Sequence, residues 1–474
     1  MQIRQIALAA VAVAAASVAQ ARDGDFYKSF GNGGREQIAF SPSLYLQTGF
    51  VDFVDIAIQS DGKLVVGATV DNTAAPTPSD DMGLLRLNPN GTVDTNFGTQ
   101  GQTFVDFALG GANDDVFSSV LVQPNGRIVS SGAAGGSPTA GGADMAVSRL
   151  LATGAPDTQF SGDGKATIPF DIGPVGNRDD VAVRCAIQSD GKIVAAGRAT
   201  IDANSQRMAV VRLNADGSRD TSFNGSGTAT IDFGPSLPIA LAFDVKIQPD
   251  GRILLTGAVS TSANAIQWGF ARLTSSGQLD TTFGNGGTLA FDAGLSSYKA
   301  YEALSALVLA DGSIVAVGIM ALQPDLTNFD YGIFKLHSDG SLDTTFGDGG
   351  GKVFAFDLGG SFTDAPVKVL QDSRGRFVMG GFSTTGDAVY TNSIARLMPD
   401  GQLDPSFGVG GKLAVSSTIP PAVDFGEQGT TIALGADDSI LIGSIADFDA
   451  TPHTHIGLVK LIGDTIFSNG FEAE

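Results

Sequence analysis

Apolar and polar positions along this chain follow one plan that returns many times, clearest in residues 225–283. A short apolar run at 228–233 reads as a first strand, and after a variable stretch a second runs over 243–248. Asp250-Gly251 then supplies a tight hairpin turn, because Gly accepts a positive φ without steric cost. A third run covers 253–257 and, after another variable stretch, a fourth covers 269–273. A second Gly turn at Ser276-Gly277 precedes the segment Asp280-x-x-Phe283. The runs are apolar at consecutive positions rather than alternating, the mark of sheets covered on both faces.

The Asp-x-x-Phe segment places its aromatic at Phe30, Phe97, Phe160, Phe223, Phe283, Phe346, Phe407 and, in a degenerate copy, Phe467, at intervals of 60 to 67 residues. Four short antiparallel strands per unit, repeated seven times, predict an all-β seven-bladed β-propeller of four-stranded antiparallel blades. A solenoid is the competing repeat architecture, but four-strand meanders favour a closed ring. The first unit begins with a lone strand at 35–40, and the last stops after its fourth at 457–461. If each first strand completes the preceding blade, residues 35–40 close the ring and remove its exposed seam. In the alternative, each unit forms a blade by itself. Residues 1–21 read as a secretory signal: Arg4, an apolar run over 6–18, then Ala19-Gln20-Ala21 at the cleavage site. The apolar run is shorter than the ~20 residues of a spanning helix. The expected plan is a signal at 1–21, the propeller at 22–463 and a short tail at 464–474.

Two strings recur: Gln-x-Asp-Gly-Lys-Ile-Val-x-x-Gly, at Gln188 to Gly197, and Arg-Leu-x-x-Asp-Gly-x-x-Asp-x-x-Phe, at Arg212 to Phe223. They resemble the delta-60 repeat family, a β-propeller domain of unknown function found in large exported bacterial proteins. The resemblance covers essentially the whole of 22–463. It implies the propeller fold and a secreted, periplasmic or cell-surface location in a bacterium. Some copies depart from the pattern: Arg374-Gly375 and Asp437-Asp438 replace Asp-Gly, and Ser161 and Asn224 replace the Gly after Phe. The ending at 466–472 also resembles a short tail on exported proteins of some Gram-negative bacteria, and reads equally well as a truncated Asp-x-x-Phe copy.

Composition narrows the chemistry. Across 474 residues, 28 basic and 50 acidic side chains give a formal net charge of -22, which argues against nucleic acid or an anionic membrane as partner. With 43% hydrophobic residues the chain is no disordered acidic tail. Cys185 is alone, so no internal disulfide forms, and it aligns with Ile56, Val120, Val245 and Ala306 as a core residue. The three histidines, His337, His453 and His455, leave Ser-His-Asp or Cys-His catalysis without an obvious imidazole. His453 and His455 are half of a zinc site at most, and a solvated loop is the better reading.

A basic residue precedes Leu in every fourth strand, and in six units an acid follows eight positions later. The pairs are Arg86 and Asp94, Arg149 and Asp157, Arg212 and Asp220, Arg272 and Asp280, Lys335 and Asp343, and Arg396 and Asp404, with Lys460 in the seventh unit. A residue repeated once per blade reads as a partly buried tie within its own unit rather than an anion site. The Asp can also cap its short turn by accepting backbone N–H groups. Asp-Gly-Ser-x-Asp at 339–343 loosely matches a calcium loop, but turn chemistry explains it and no cofactor is expected.

Because strand direction alternates, the Asp-Gly and Asp-x-x-Phe turns share one face and the variable connections share the other. Trp268, Tyr45, Tyr298, Tyr301, Tyr331 and Tyr390 fall on or beside the variable loops. Acids recur where those loops enter the second strand: Asp55, Asp114, Asp115, Asp179, Asp180, Glu302, Asp364 and Glu427. The expected ligand contacts are these aromatics with Asp115, Asp180, Glu302 and Glu427, the acids lining a central mouth. The competing reading packs the aromatics under loops and leaves the acids as a solvated rim. The expected function is a monomeric, noncatalytic binding or surface-display module for an extracellular or cell-surface ligand, a glycan or a cationic peptide. One alternative is a glycan hydrolase or lyase working through two carboxylates. The other is a calcium-dependent structural protein whose acidic rim holds the ion.

Overall fold

A computed structural model describes residues 23–463, apart from 41–53, 72–78, 110–113, 136–141, 171, 173–178, 203, 264, 325, 386–388, 420–426 and 447–454. The expected signal and tail lie outside the described residues. Among those described there is no helix, and 28 strands form seven four-stranded antiparallel blades. From the inside outward, blade 1 comprises Asp55–Ile58, Leu64–Asp71, Asp80–Leu87 and Gln102–Val105. Blades 2 to 6 repeat it, with innermost strands Val116–Val122, Asp180–Ile187, Ile239–Ile247, Tyr298–Val308 and Gly359–Gln371. The innermost strands neighbour one another in chain order, and that of blade 7, Glu427–Leu434, packs on that of blade 1. The ring is closed.

Closure uses both chain ends. The outer strand of blade 7 is Arg35–Ile38, antiparallel to the third strand His455–Leu461. Thr228–Ile231 likewise pairs with Ser205–Leu213 of blade 3, so the first strand of each unit does complete the preceding blade. More of the N-terminus takes part than this strand. Residues 23–34 supply the whole turn that blade 7 lacks: Tyr27 N–H donates to the Lys460 carbonyl at 2.8 Å, and Lys460 N–H to that of Gly34 at 2.9 Å. Tyr27 stands where other units have Asp, and Lys460 Nζ lies 4.2 Å above its ring centroid. A cation–π contact replaces an ion pair there.

The core is divided among the blade interfaces. Seven clusters of buried side chains each draw on two adjacent blades, as Val194, Met208 and Phe223 of blade 3 meet Val245, Leu255 and Leu273 of blade 4. Each blade therefore has an apolar neighbour on both sides, which is why Ile253–Ser260 is buried at every position.

The repeated basic–acidic pairs form within their units, as expected, but they do more. Arg86, Arg149, Arg212, Arg272 and Arg396 each hold their Asp through Nε at 2.7–2.8 Å. Each also lies over its own unit's Phe at 4.7–4.8 Å. Nη1 of each then donates to a carbonyl of the following segment: Ala152, Ala215, Ser275, Ser338 and Gly463. The pair is a clamp between blades. The backbone runs parallel to it, as Asn224 N–H donates to the Ser276 carbonyl of the next blade at 2.8 Å. Phe223 fits beneath the next turn at Gly277, where φ is +87° and an added Cβ would lie 2.8 Å from the ring. Lys63, Arg127, Lys192 and Arg252, each just after the Asp-Gly or Asn-Gly turn, bring a second cation to the same carboxylate. The Asp also caps its turn, as Asp220 accepts from Ser222 N–H at 3.1 Å.

Replacing Arg212 by Ala leaves the Asp220 carboxylate without its buried guanidinium and removes the bond to blade 4. Stability should fall by about 3–5 kcal/mol in urea titration. Replacing the exposed Arg219 by Ala should change it by less than about 0.5 kcal/mol.

Blade 5 is the weak link, because Lys335 reaches Asp343 at 3.1 Å but has no guanidinium to extend to the next blade. Lys335→Arg should gain a bond to the Pro399 carbonyl, the counterpart of Ser338, and stabilise the protein by about 1–2 kcal/mol. An unchanged midpoint would show that the fifth interface needs no clamp.

Candidate functional site

With the turn face occupied by the clamps, candidate chemistry is left to the variable face and the centre of the ring. Two nominated aromatics are corrected by the structure. Trp268 is fully buried between blades 4 and 5 among Phe270, Phe291 and Phe334, its indole N–H donating to the Ile319 carbonyl at 3.1 Å. Tyr331 is equally buried, with its hydroxyl 2.9 Å from Ser393 Oγ. Both sit inside third strands, where a blade packs on either side, so a position near a loop in sequence gave them no access to solvent. Neither can meet a ligand.

The acids at the strand starts are likewise not a solvated rim. Asp115 and Asp180 are buried, and with Asp364 they share one task. Each accepts the backbone N–H of a residue just past the preceding outer strand: Phe107 at 2.6 Å, Phe170 at 2.9 Å and Phe356 at 2.7 Å. They tie the crossover from one blade to the next. Burial pushes Asp115 up to about 7, and the charges of Asp106 and Asp81 add to it against the Phe107 hydrogen bond.

Around the axis lies a set of residues of which the sequence reading had singled out only Asp55. Asp55, Ser119, Arg184, Asp244, Ser305, Lys368 and Thr431 occupy one level, each immediately before the core residue of its innermost strand. In six of the blades the strand register shifts just before this residue or within two positions of it. Such a shift frees a backbone N–H from the ladder. The preceding blade's polar side chain accepts it: Val120 N–H reaches Asp55 at 3.2 Å, and Ala306 N–H reaches Asp244 at 3.0 Å. Asp55 also binds Arg184 at 2.8 Å and Lys368 at 3.0 Å, from blades 3 and 6, which do not adjoin blade 1. These bonds therefore cross the ring. Burial opposes ionisation of Asp55, but the charges of Lys368 and Arg184 outweigh it and hold the carboxyl at about 2. The expected acid-lined mouth is at this level a network in which Arg184 and Lys368 balance Asp55 and Asp244. The signal in sequence was a lone polar residue beside each aligned core position, one place before Cys185, which is itself buried in the core.

What remains reachable clusters over blade 5. Tyr301 and Phe329 are half-buried, with ring centroids 5.2 Å apart. Tyr301 is an extra residue at a register shift between Ala300 and Glu302. Glu302 is half-buried, and burial pushes its carboxyl up to about 7. Nearby, the Tyr298 hydroxyl donates to Asp330 at 2.6 Å, and Tyr390 packs edge-on against Phe382 over blade 6. Burial raises both Asp330 and Asp364, whereas an acid and a base need shifts in opposite senses. A cavity of about 260 Å³ flanked by Leu295, Ser297, Tyr298 and Asp348 falls below the 300–1,000 Å³ usual for ligand pockets. Tyr45 and His453 lie outside the described residues, as does the side chain of Glu427, while His455 opens the third strand of blade 7. Among the described residues one group of acids, Asp81, Asp106 and Asp115, has carboxylate oxygens within 4.8 Å of one another.

Removing Asp55 tests the central network. Asp55→Ala should cost about 3–5 kcal/mol, because it strands Arg184 and Lys368 around the axis. A loss no larger than that of exposed Asp61→Ala in the same urea titration would mean that water serves these cations equally well.

Comparison with known proteins places the architecture. Six segments, residues 59–97, 123–160, 188–223, 248–283, 309–346 and 375–407, match a β-propeller domain of unknown function, DUF5122. The seventh blade is the one divided between the chain ends. No curated protein matches the chain. Among solved structures, the polysaccharide lyase Uly1 is 8% identical, over 94% of this chain and 98% of its own, with a TM-score of 0.47. An alpha-L-arabinanase of Penicillium chrysogenum complexed with arabinobiose is 9% identical, over 90% and 98%, with a TM-score of 0.43. A protein of unknown function from Dyadobacter fermentans is 12% identical, over 90% and 99%, with a TM-score of 0.41. At these levels the likeness says nothing of activity.

Proposed function

Since the chain belongs to the delta-60 repeat family of β-propellers, DUF5122, whose function is unknown, we propose its role from the residues that the fold leaves uncommitted. The protein is an exported, noncatalytic module that binds a glycan on the variable face above blade 5. Export rests on the signal-like residues 1–21.

The observation that carries this reading is the half-buried pair Tyr301 and Phe329 beside Glu302. Two rings set at an angle offer apolar faces to the C–H side of a sugar, at little entropic cost because the fold already holds them. Glu302 brings an acid to a register position that holds Val116, Val181, Leu241 and Ala365 in four other blades and Gln428 in blade 7. Burial raises its carboxyl to about 7, which brings the protonated form within reach at neutral pH. It can then both donate to and accept from hydroxyl groups, which suits a neutral sugar better than a cation.

A glycan array probed with the mature protein should retain at least one glycan class. Tyr301→Ala and Phe329→Ala should each weaken that binding about tenfold, the equivalent of ~1.4 kcal/mol. Arg219→Ala on the turn face should leave it unchanged. No retained glycan, or loss through the turn-face change with the protein still folded, would sink the reading; turnover of the bound glycan would sink its noncatalytic part.

A further inference from the structure

We infer that the cavity between blades 4 and 5 takes a basic side chain, lysine or arginine, of a second polypeptide. Tyr301 and Phe329 do not line it, so it is separate from the glycan surface proposed above blade 5.

Elsewhere in the ring the chain shows what such a groove holds. Lys165 and Lys412 open the outer strands of blades 2 and 6, and Arg35 opens that of blade 7. Each crosses to the preceding blade and donates to the carbonyl one residue past its outer strand. Lys165 Nζ reaches Asp106 at 2.8 Å, Lys412 Nζ reaches Ala355 at 2.7 Å, and Arg35 Nε reaches Ser416 at 3.0 Å. One position further on, five grooves also hold an aromatic: Phe40, Phe107, Phe170, Phe233 and Phe356. Lys165 and Lys412 lie over two of these rings, 6.0 and 5.8 Å from the centroids of Phe107 and Phe356.

The groove between blades 4 and 5 has neither filler. Gly351 opens the outer strand of blade 5, so no side chain crosses toward the counterpart carbonyl, that of Asp292. Ala293 stands where the five phenylalanines stand. What is left is the cavity of about 260 Å³, whose lining includes Ala293, Leu295, Phe334, Asp348, Gly351 and Val353. Phe334 is its fixed wall: the ring packs 5.4 Å from both Trp268 and Phe291, and a Cβ added at Gly351 would strike it. The space is too small for a drug-sized ligand but admits one extended side chain.

The lining selects the occupant. Ala293, Leu295, Phe334 and Val353 suit a methylene stem, and long basic side chains bury the stem while keeping the charged head among polar groups. Asp348 is the charged residue of the lining, its carboxylate held by Lys352 Nζ at 2.7 Å and Gln402 Nε2 at 2.9 Å. A chain of net charge -22 attracts a cation and repels an acid. An amino sugar also carries an ammonium group but lacks the stem with which Lys165 and Lys412 cross their grooves.

Saturation-transfer NMR of the mature protein with Nα-acetyl-lysine N-methylamide tests the site. Binding should saturate with a dissociation constant of about 1 mM, the scale for a ligand of this size. The side-chain methylene protons should receive more saturation than the acetyl methyl. The norleucine analogue, which lacks the ammonium, should bind at least about fivefold more weakly. Ala293→Phe, which restores the residue of five other grooves, should weaken lysine binding at least about tenfold, and the exposed change Asp348→Asn about threefold. No saturable binding up to about 20 mM would overturn the site. So would unchanged affinity in folded Ala293→Phe or, should that variant not fold, in Asp348→Asn. Equal binding of the norleucine analogue, or of glucosamine, would overturn the choice of a basic side chain.

Discussion

The contact between neighbouring blades is the constraint on which the rest of the structure depends. No blade can bury its own apolar faces, because a four-stranded sheet has two of them and little else. Each must therefore be held at a fixed distance from the next, and the signature residues do this at the turn face. Arg212 pairs with Asp220, stacks on Phe223 and bonds the following blade, while Phe223 sits beneath the next Gly turn. One guanidinium thus couples a turn, an aromatic anchor and a neighbour. A charge pair taken out of water gains little by itself. Here it is repaid by specificity of spacing, since the geometry is met only when both blades stand in register.

Ring closure follows from the same requirement. Six interfaces between consecutive blades join segments adjacent in chain order, but blade 7 must find its turn and outer strand at the other end of the chain. The N-terminal segment carries a copy of the motif in which Tyr27 takes the place of Asp, and Lys460 accepts this substitute through the ring face. At the axis the opposite problem arises. Innermost strands converge there, their ladders shift register, and freed N–H groups need acceptors that water in a narrow channel supplies poorly. Asp55, Asp244 and Ser305 provide them across blade boundaries. The charge on Asp55 then draws in Arg184 and Lys368.

The fold was legible because its evidence is repeated. Seven units built on the same Gly turns and Asp-x-x-Phe segment average out departures such as Arg374-Gly375, and of the two arrangements open in sequence the structure has closure by the N-terminal strand, Arg35–Ile38. The site was less legible, for physical reasons particular to each residue. Trp268 and Tyr331 were nominated by closeness to variable loops in sequence, yet third strands are covered from both sides up to their ends. Asp115 and Asp180 read in sequence as ligand contacts at a central mouth, because nothing in a single chain reveals a backbone N–H waiting one blade away. The ring of Asp55, Arg184, Lys368 and their counterparts had a signal, a polar residue beside each aligned core position.

A repeated residue serves every blade alike, so it is poorly placed to recognise one ligand at one place. Function in such a ring should be sought where a single unit breaks the pattern while the scaffold stays intact. Tyr27 breaks it at the closing blade and is explained by closure. Glu302 breaks it at a position held by Val, Leu or Ala in four other blades, and burial of a carboxyl there weakens rather than strengthens the blade. That departure adds acid to an environment that penalises it, and Glu302 serves neither clamp, crossover tie nor axial network. Residues that a fold carries at a cost and does not use are the ones whose explanation lies in something the fold binds.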